Sequence, residues 1–120
     1  MATSKTVTVI HNNITMTAAA GDVTSSAWDL QDGYGGVLNV KITNGGTGPT
    51  VAAQVQIQAS PDDSNYYSLG GPMVGSVVLS VVRSWTVSIP VGVKYVKVVS
   101  GSNTGQAVTL RVTGTEVVSV

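Results

Sequence analysis

Val51-Ala52-Ala53-Gln54-Val55-Gln56-Ile57-Gln58-Ala59-Ser60-Pro61-Asp62-Asp63-Ser64-Asn65-Tyr66-Tyr67-Ser68-Leu69-Gly70 is the stretch whose reading decides the fold. Val51, Ala53, Val55, Ile57 and Ala59 share one face of an extended chain, and Ala52, Gln54, Gln56 and Gln58 share the other. Successive side chains of a strand point to opposite faces, so this alternation describes a half-buried sheet. Ser60-Pro61-Asp62 suits a type I turn, because Pro pre-sets φ while Ser and Asp bond nearby amides. The stretch therefore reads as strand, tight polar turn and second short strand.

The same alternation recurs on both sides. Towards the N-terminus, Lys5–Ile10 places Val7 and Val9 on one face, Asn12-Asn13 marks a turn, and a strand is expected over Ile14–Ala18. An irregular strand over Val23–Leu30 carries Trp28, and Val37–Thr43 turns Leu38, Val40 and Ile42 inward. Towards the C-terminus, Val74–Val82 is apolar on both faces, which suits a strand buried on both sides or one whose outer face meets a partner. Ser84–Ile89 alternates cleanly, placing Trp85 in the core; Val93–Ser100 and Ala107–Thr113 follow, with Val117–Val120 as an edge strand or arm. Eight to ten short strands between turn signals predict an all-β chain, an antiparallel β-sandwich with a jelly-roll topology among the candidates.

Composition agrees. Val is the commonest residue, followed by Thr, Gly and Ser, and β-branched residues suit pleated sheets. At 120 residues one domain spanning 1–120 is expected, with residues 1–4 as a flexible leader. Charged residues make up 10% of the chain, against a typical ~25%. The six basic residues (Lys5, Lys41, Arg83, Lys94, Lys97 and Arg111) form no run, which argues against nucleic-acid binding. Near-zero net charge favours association. There is no Cys, so disulfides and thiolate metal sites are excluded. No secretory signal opens the chain, and no apolar run approaches ~20 residues, so a soluble protein made in the cytoplasm and not bound to membrane is expected.

No catalytic site is legible, and the expectation is a protein that is not an enzyme and carries no cofactor or metal. His11 is the single histidine and no nucleophile elbow accompanies it, so it reads as a surface turn residue. Asp29–Gly33 and Asp62–Asn65 offer oxygens to Ca²⁺, but turn capping explains them better. Trp28, Trp85, Tyr34, Tyr66, Tyr67 and Tyr95 are the candidates for a sugar-stacking platform, with core packing or a protein interface as the competing roles. The glycine-rich stretches 33–36 and 45–48 lack the lysine and following helix of a phosphate cradle. Asn13-Ile14-Thr15 matches a glycosylation sequon, of little weight without a signal peptide.

Val55, Ile57, Ser60, Asp62, Tyr67, Leu69 and Gly70 resemble a pattern of small β-domains in tailed-bacteriophage virion proteins. The segment Trp85-x-Val87-x-Ile89-Pro90-x-Gly92-Val93-x-Tyr95-Val96-x-Val98 extends it, so the resemblance spans about residues 51–115. Asp63 and Tyr67 depart from it, standing where that pattern often has Gly and Trp. Among such proteins a short single-domain chain is similar to capsid decoration, or cement, proteins. The resemblance implies a homo-oligomer, a trimer first, that binds the major capsid protein lattice on the capsid exterior and stabilises the shell. It also implies contact segments at residues 1–20 and 116–120. A tail, baseplate or fibre-associated component and a carbohydrate-binding β-sandwich are the alternatives.

Overall fold

The computed structural model describes residues 4–16, 23–30 and 35–119. Among them the chain forms strands β1 (Ser4–Met16), β2 (Val23–Thr24), β3 (Trp28–Asp29), β4 (Gly36–Asn44) and β5 (Gln54–Ser60). There follow β6 (Tyr67–Ser68), β7 (Met73–Val74), β8 (Val82–Ile89), β9 (Tyr95–Gly101) and β10 (Val108–Ser119). One sheet has the order β1-β10-β4-β8. The other runs β2-β9-β5-β6, with β3 also on β9 and β7 also on β5. Every pairing is antiparallel. The all-β sandwich expected from the alternation is the fold.

Its topology follows from which strands pair. β2 and β3 lie along β9 as one stretch, and β6 and β7 lie along β5 as another. The first strand then pairs with the last, the second with the next to last, and so inward to the turn between β5 and β6. One long hairpin is thus rolled over itself into two sheets, which is a jelly roll.

The core lies between the sheets and comes from the alternating positions. Leu38, Val40 and Ile42 on β4 and Val108, Leu110 and Val112 on β10 face Val55 and Ile57 on β5 and Val96 and Val98 on β9. Register keeps each set on one face: Leu110 sits opposite Ile42, Val112 opposite Val40, and Ile57 opposite Val98. The outward face of the first sheet is mostly polar, with Asn39, Lys41, Ser84, Thr86, Arg111 and Thr113.

Several expectations are corrected. Asn12-Asn13 does not turn the chain: β1 runs through it as one 13-residue strand. Register shifts fall between Val9 and His11 and between His11 and Ile14, and Asn13 takes a φ of 51°. Bulges absorb the extra residues and re-aim the side chains that follow. Val7 and Val9 therefore lie on the outer face, while His11, Ile14 and Met16 stand opposite Val112, Leu110 and Val108 on the inner one. Secondly, Val74–Val82 is not one strand. β7 ends at Val74, and Val77, Val78 and Leu79 stand exposed on a loop. Thirdly, Trp85 packs against the core but is only half-buried, on the edge strand β8. Residues 117–119 form no separate strand; they continue β10 alongside β1, with Lys5 opposite Val117 and Ser4 opposite Ser119. Ser4, the last residue of the expected leader, opens β1, and residues 1–3 lie outside the described residues.

Candidate functional site

His11 is not a surface turn residue. It is 6% exposed, and its Nε2 has no hydrogen-bond partner. Burial lowers its pKa from the ordinary 6.5, while a hydrogen bond to the Val98 backbone pulls the other way. The imidazole lies on the inner face of β1, opposite Val112. Among the described residues no three His, Asp or Glu side chains gather in a way that would hold a metal ion.

The Asp62 turn is closed on itself. The Asp62 carboxylate accepts the Ser64 and Asn65 backbone N–H groups and Asn65 Nδ2, each at 2.9 Å, and Ser60 Oγ at 3.0 Å. Ser60 Oγ in turn accepts the Asp62 and Asp63 N–H groups at 3.2 and 3.0 Å. Those bonds, the Asn65 and Ser64 amides first, hold the Asp62 pKa well below the carboxylate range. The carboxylate is engaged in fixing the turn, as the capping reading expects. Asp29 is exposed on β3, and Asp32, its partner in the other calcium candidate, lies outside the described residues.

Among the described residues the aromatic side chains do not assemble into one platform. Trp28 is buried against Gly114, where an added Cβ would meet the indole at 2.6 Å. Trp85 is half-buried on the far edge of the first sheet. The Tyr66 hydroxyl donates to Asp63 Oδ1, and Lys97 Nζ sits 4.6 Å from the centre of its ring. Burial, and then the neighbouring Asp63, push the Tyr66 phenol up to about 12. Tyr67 alone among the described aromatics is strongly exposed, at 66%. Beside it lies an apolar notch of about 240 Å³ lined by Pro61, Leu69 and Val93 among others. Tyr34 lies outside the described residues.

What the fold does build is an apolar rim on a loop held by hydrogen bonds. The loop from Gly75 to Val81 is fastened on three sides. Asn44 Nδ2 donates to the carbonyls of Ser76 at 2.6 Å and Val78 at 2.8 Å. Ser80 N–H donates to Gly45 O, Asn44 N–H to Val81 O, and Gly75 N–H to Ala53 O. Gly48 lies so close beneath that a side chain there would strike the Val77 carbonyl. The backbone turns its polar groups inward onto Asn44, and Val77, Val78 and Leu79 are left facing solvent. Val74 and Val82 flank them, also exposed. A second exposed pair, Val7 and Val9, lies on the outer face of β1. The expected terminal contact segments meet here in part, since residues 4–9 pair with 113–119; residues 17–20 and 120 lie outside the described residues. The Asn44 anchor was not legible in sequence, where Asn44 reads as the first residue of a flexible loop.

The fold is a small jelly-roll β-sandwich that displays an exposed apolar loop between β7 and β8. No protein-family model matches the chain, and no curated protein matches it in sequence. Among solved structures it is similar to the SPBc2 prophage-derived protein YomS, at 20% identity and a TM-score of 0.56, covering 97% of this chain and 96% of that one. It is also similar to the K3 cleaved adhesin domain of Lys-gingipain from Porphyromonas gingivalis, at 16% identity and TM-score 0.56, over 92% of this chain and 72% of that one. A third likeness is to VP2 of infectious bursal disease virus in a subviral particle, at 8% identity and TM-score 0.59, over 97% of this chain but 33% of that one. At these identities the likeness is one of fold.

Proposed function

We propose that this chain is a structural component of a bacteriophage virion, and within that class a decoration protein. In this reading it is made in the host cytoplasm and binds the major capsid protein lattice from outside. It associates with itself and uses neither membrane nor nucleic acid. The observation that carries the reading is the fastened apolar rim at Val77–Leu79 on a β-sandwich of low charge content and zero net charge. A rigid surface loses little conformational entropy on docking, so its apolar contacts convert efficiently into affinity. A ligand that binds only the expanded shell stabilises that shell by mass action, and many weak contacts repeated by symmetry become collectively strong. The virion resemblance in residues 51–115 and the fold shared with a prophage-derived protein support the same class.

Cryo-electron microscopy of the parent particle tests it. Density for this chain is expected on the capsid exterior, and particles lacking it should lose their DNA at lower temperature. Density confined to the tail would retain the virion class and remove the decoration role; absence from the particle would remove both.

A further inference from the structure

The first sheet has two edges, and they differ. β1 is interrupted by register shifts, the device by which natural sheets blunt an edge against pairing. β8 pairs with β4 without a shift from Thr43–Val82 to Gly36–Ile89. It contains no Pro and one charge, Arg83. Among the described residues no strand pairs with its other side. A groove of about 560 Å³ runs between β7 and β8, lined by Pro72, Met73, Val74, Arg83, Ser84 and Trp85. A straight edge with unpaired backbone groups is a template for another strand.

Both ends of this edge carry exposed apolar side chains. Val77, Val78, Leu79 and Val82 lie at its start, with Leu79 60% exposed; Val91, 76% exposed, lies just past its end. Together these five expose on the order of 500 Å², a large part of the ~800 Å² each partner buries in a standard interface.

We propose that β8 pairs antiparallel with β8 of a second copy of this chain, across a two-fold axis at Trp85, joining two four-stranded sheets into one. Antiparallel pairing sets the start of one β8 against the end of the other. Position 85 lies midway between 82 and 88, both within the strand, so Val82 of each copy comes level with Ser88 of its mate. In this register Ser84 faces Thr86 and Arg83 faces Val87 of the copy, so the single charge never meets its own kind. A two-fold contact is self-complementary and closes at two copies. The proposal draws on the same Val77–Leu79 rim as the virion reading, is tested on the purified chain without any particle, and departs from the trimer that the resemblance implies.

Sedimentation velocity on the purified full chain at micromolar concentration tests it, and a dimer is expected. Val82→Asp and Ser88→Asp, both at exposed sites on the strand, should each raise the dissociation constant about tenfold or more. Val82→Asp combined with Ser88→Lys should recover most of that loss, while circular dichroism shows each variant folded. A native chain that runs as a monomer or a trimer would overturn the proposal. So would a dimer indifferent to both substitutions, or a charge pair that restores nothing.

Discussion

At the scale of single residues, His11 makes stability depend on pH. Its folded pKa is depressed by burial, so below 6.5 the unfolded chain takes up a proton that the folded chain resists. Stability is fully present above that value and falls as pH drops below it. The thermal midpoint should therefore be level above neutrality and decline on acidification, and His11→Leu should flatten that decline. Equal slopes in both proteins, followed by circular dichroism from pH 8 to 5, would assign the acid sensitivity elsewhere. Asp62 acts in a separate window: its depressed pKa contributes stability above the ordinary 3.8 that is lost only in stronger acid. Gly114 is a second sensitive position. Trp28 lies directly on its backbone, so Gly114→Ala forces the ring or strand β10 to move. Such overpacking costs about 1–3 kcal/mol. Urea titration should show the loss, with a shift in Trp28 emission marking its place.

At the scale of elements, the loop between β7 and β8 shows how a side chain from elsewhere sets a backbone. Asn44 lies 32 residues from Ser76 and 34 from Val78, yet its amide holds both carbonyls. Asn44→Ala removes those bonds and strands the buried Ser76 carbonyl and the part-buried Val78 one, at a cost of about 1–3 kcal/mol. Amide hydrogen exchange should then accelerate at Val78 and Ser80 while Val40 and Leu110 keep their protection; uniform acceleration would mean the loop is not separately held. The same loop marks the limit of the sequence reading. Strict alternation made β5, β8, β9 and β10 legible, because only a two-faced sheet uses period two. The run Val74–Val82 carries the same residue types whether buried as a strand or displayed as a loop. What separates the two is the distant hydrogen bond from Asn44. The bulges of β1 were hidden for a related reason: Asn12-Asn13 signals a departure from regular extension, but a bulge and a turn use the same residues. That misplacement carried His11 from the core to the surface. The Asp62 turn was legible because its donors and acceptors lie within five residues of one another.

At the scale of the whole molecule, the rolled hairpin implies an order of assembly. The β5–β6 turn is the innermost pairing and closes a short loop, held by Ser60 and Asp62. The β1–β10 pairing joins the two ends of the chain. Loop closure costs entropy that grows with length, so the outer pairs gain most if the inner ones already hold the strands together. Such non-local topologies fold in about milliseconds to seconds. The order has a kinetic signature. Ser60→Ala removes the hydroxyl that accepts the Asp62 and Asp63 amides, at about 1 kcal/mol, and its effect should fall mainly on the refolding rate. Val112→Ala on β10, opposite His11 and fully buried, should cost about 2–4 kcal/mol and chiefly speed unfolding. Stopped-flow refolding and unfolding in urea separate the two arms. A slowed refolding arm for Val112→Ala with none for Ser60→Ala would mean that the chain ends zip first. The turn would then be a late closure, although it lies at the centre of the sequence pattern from which the fold is read.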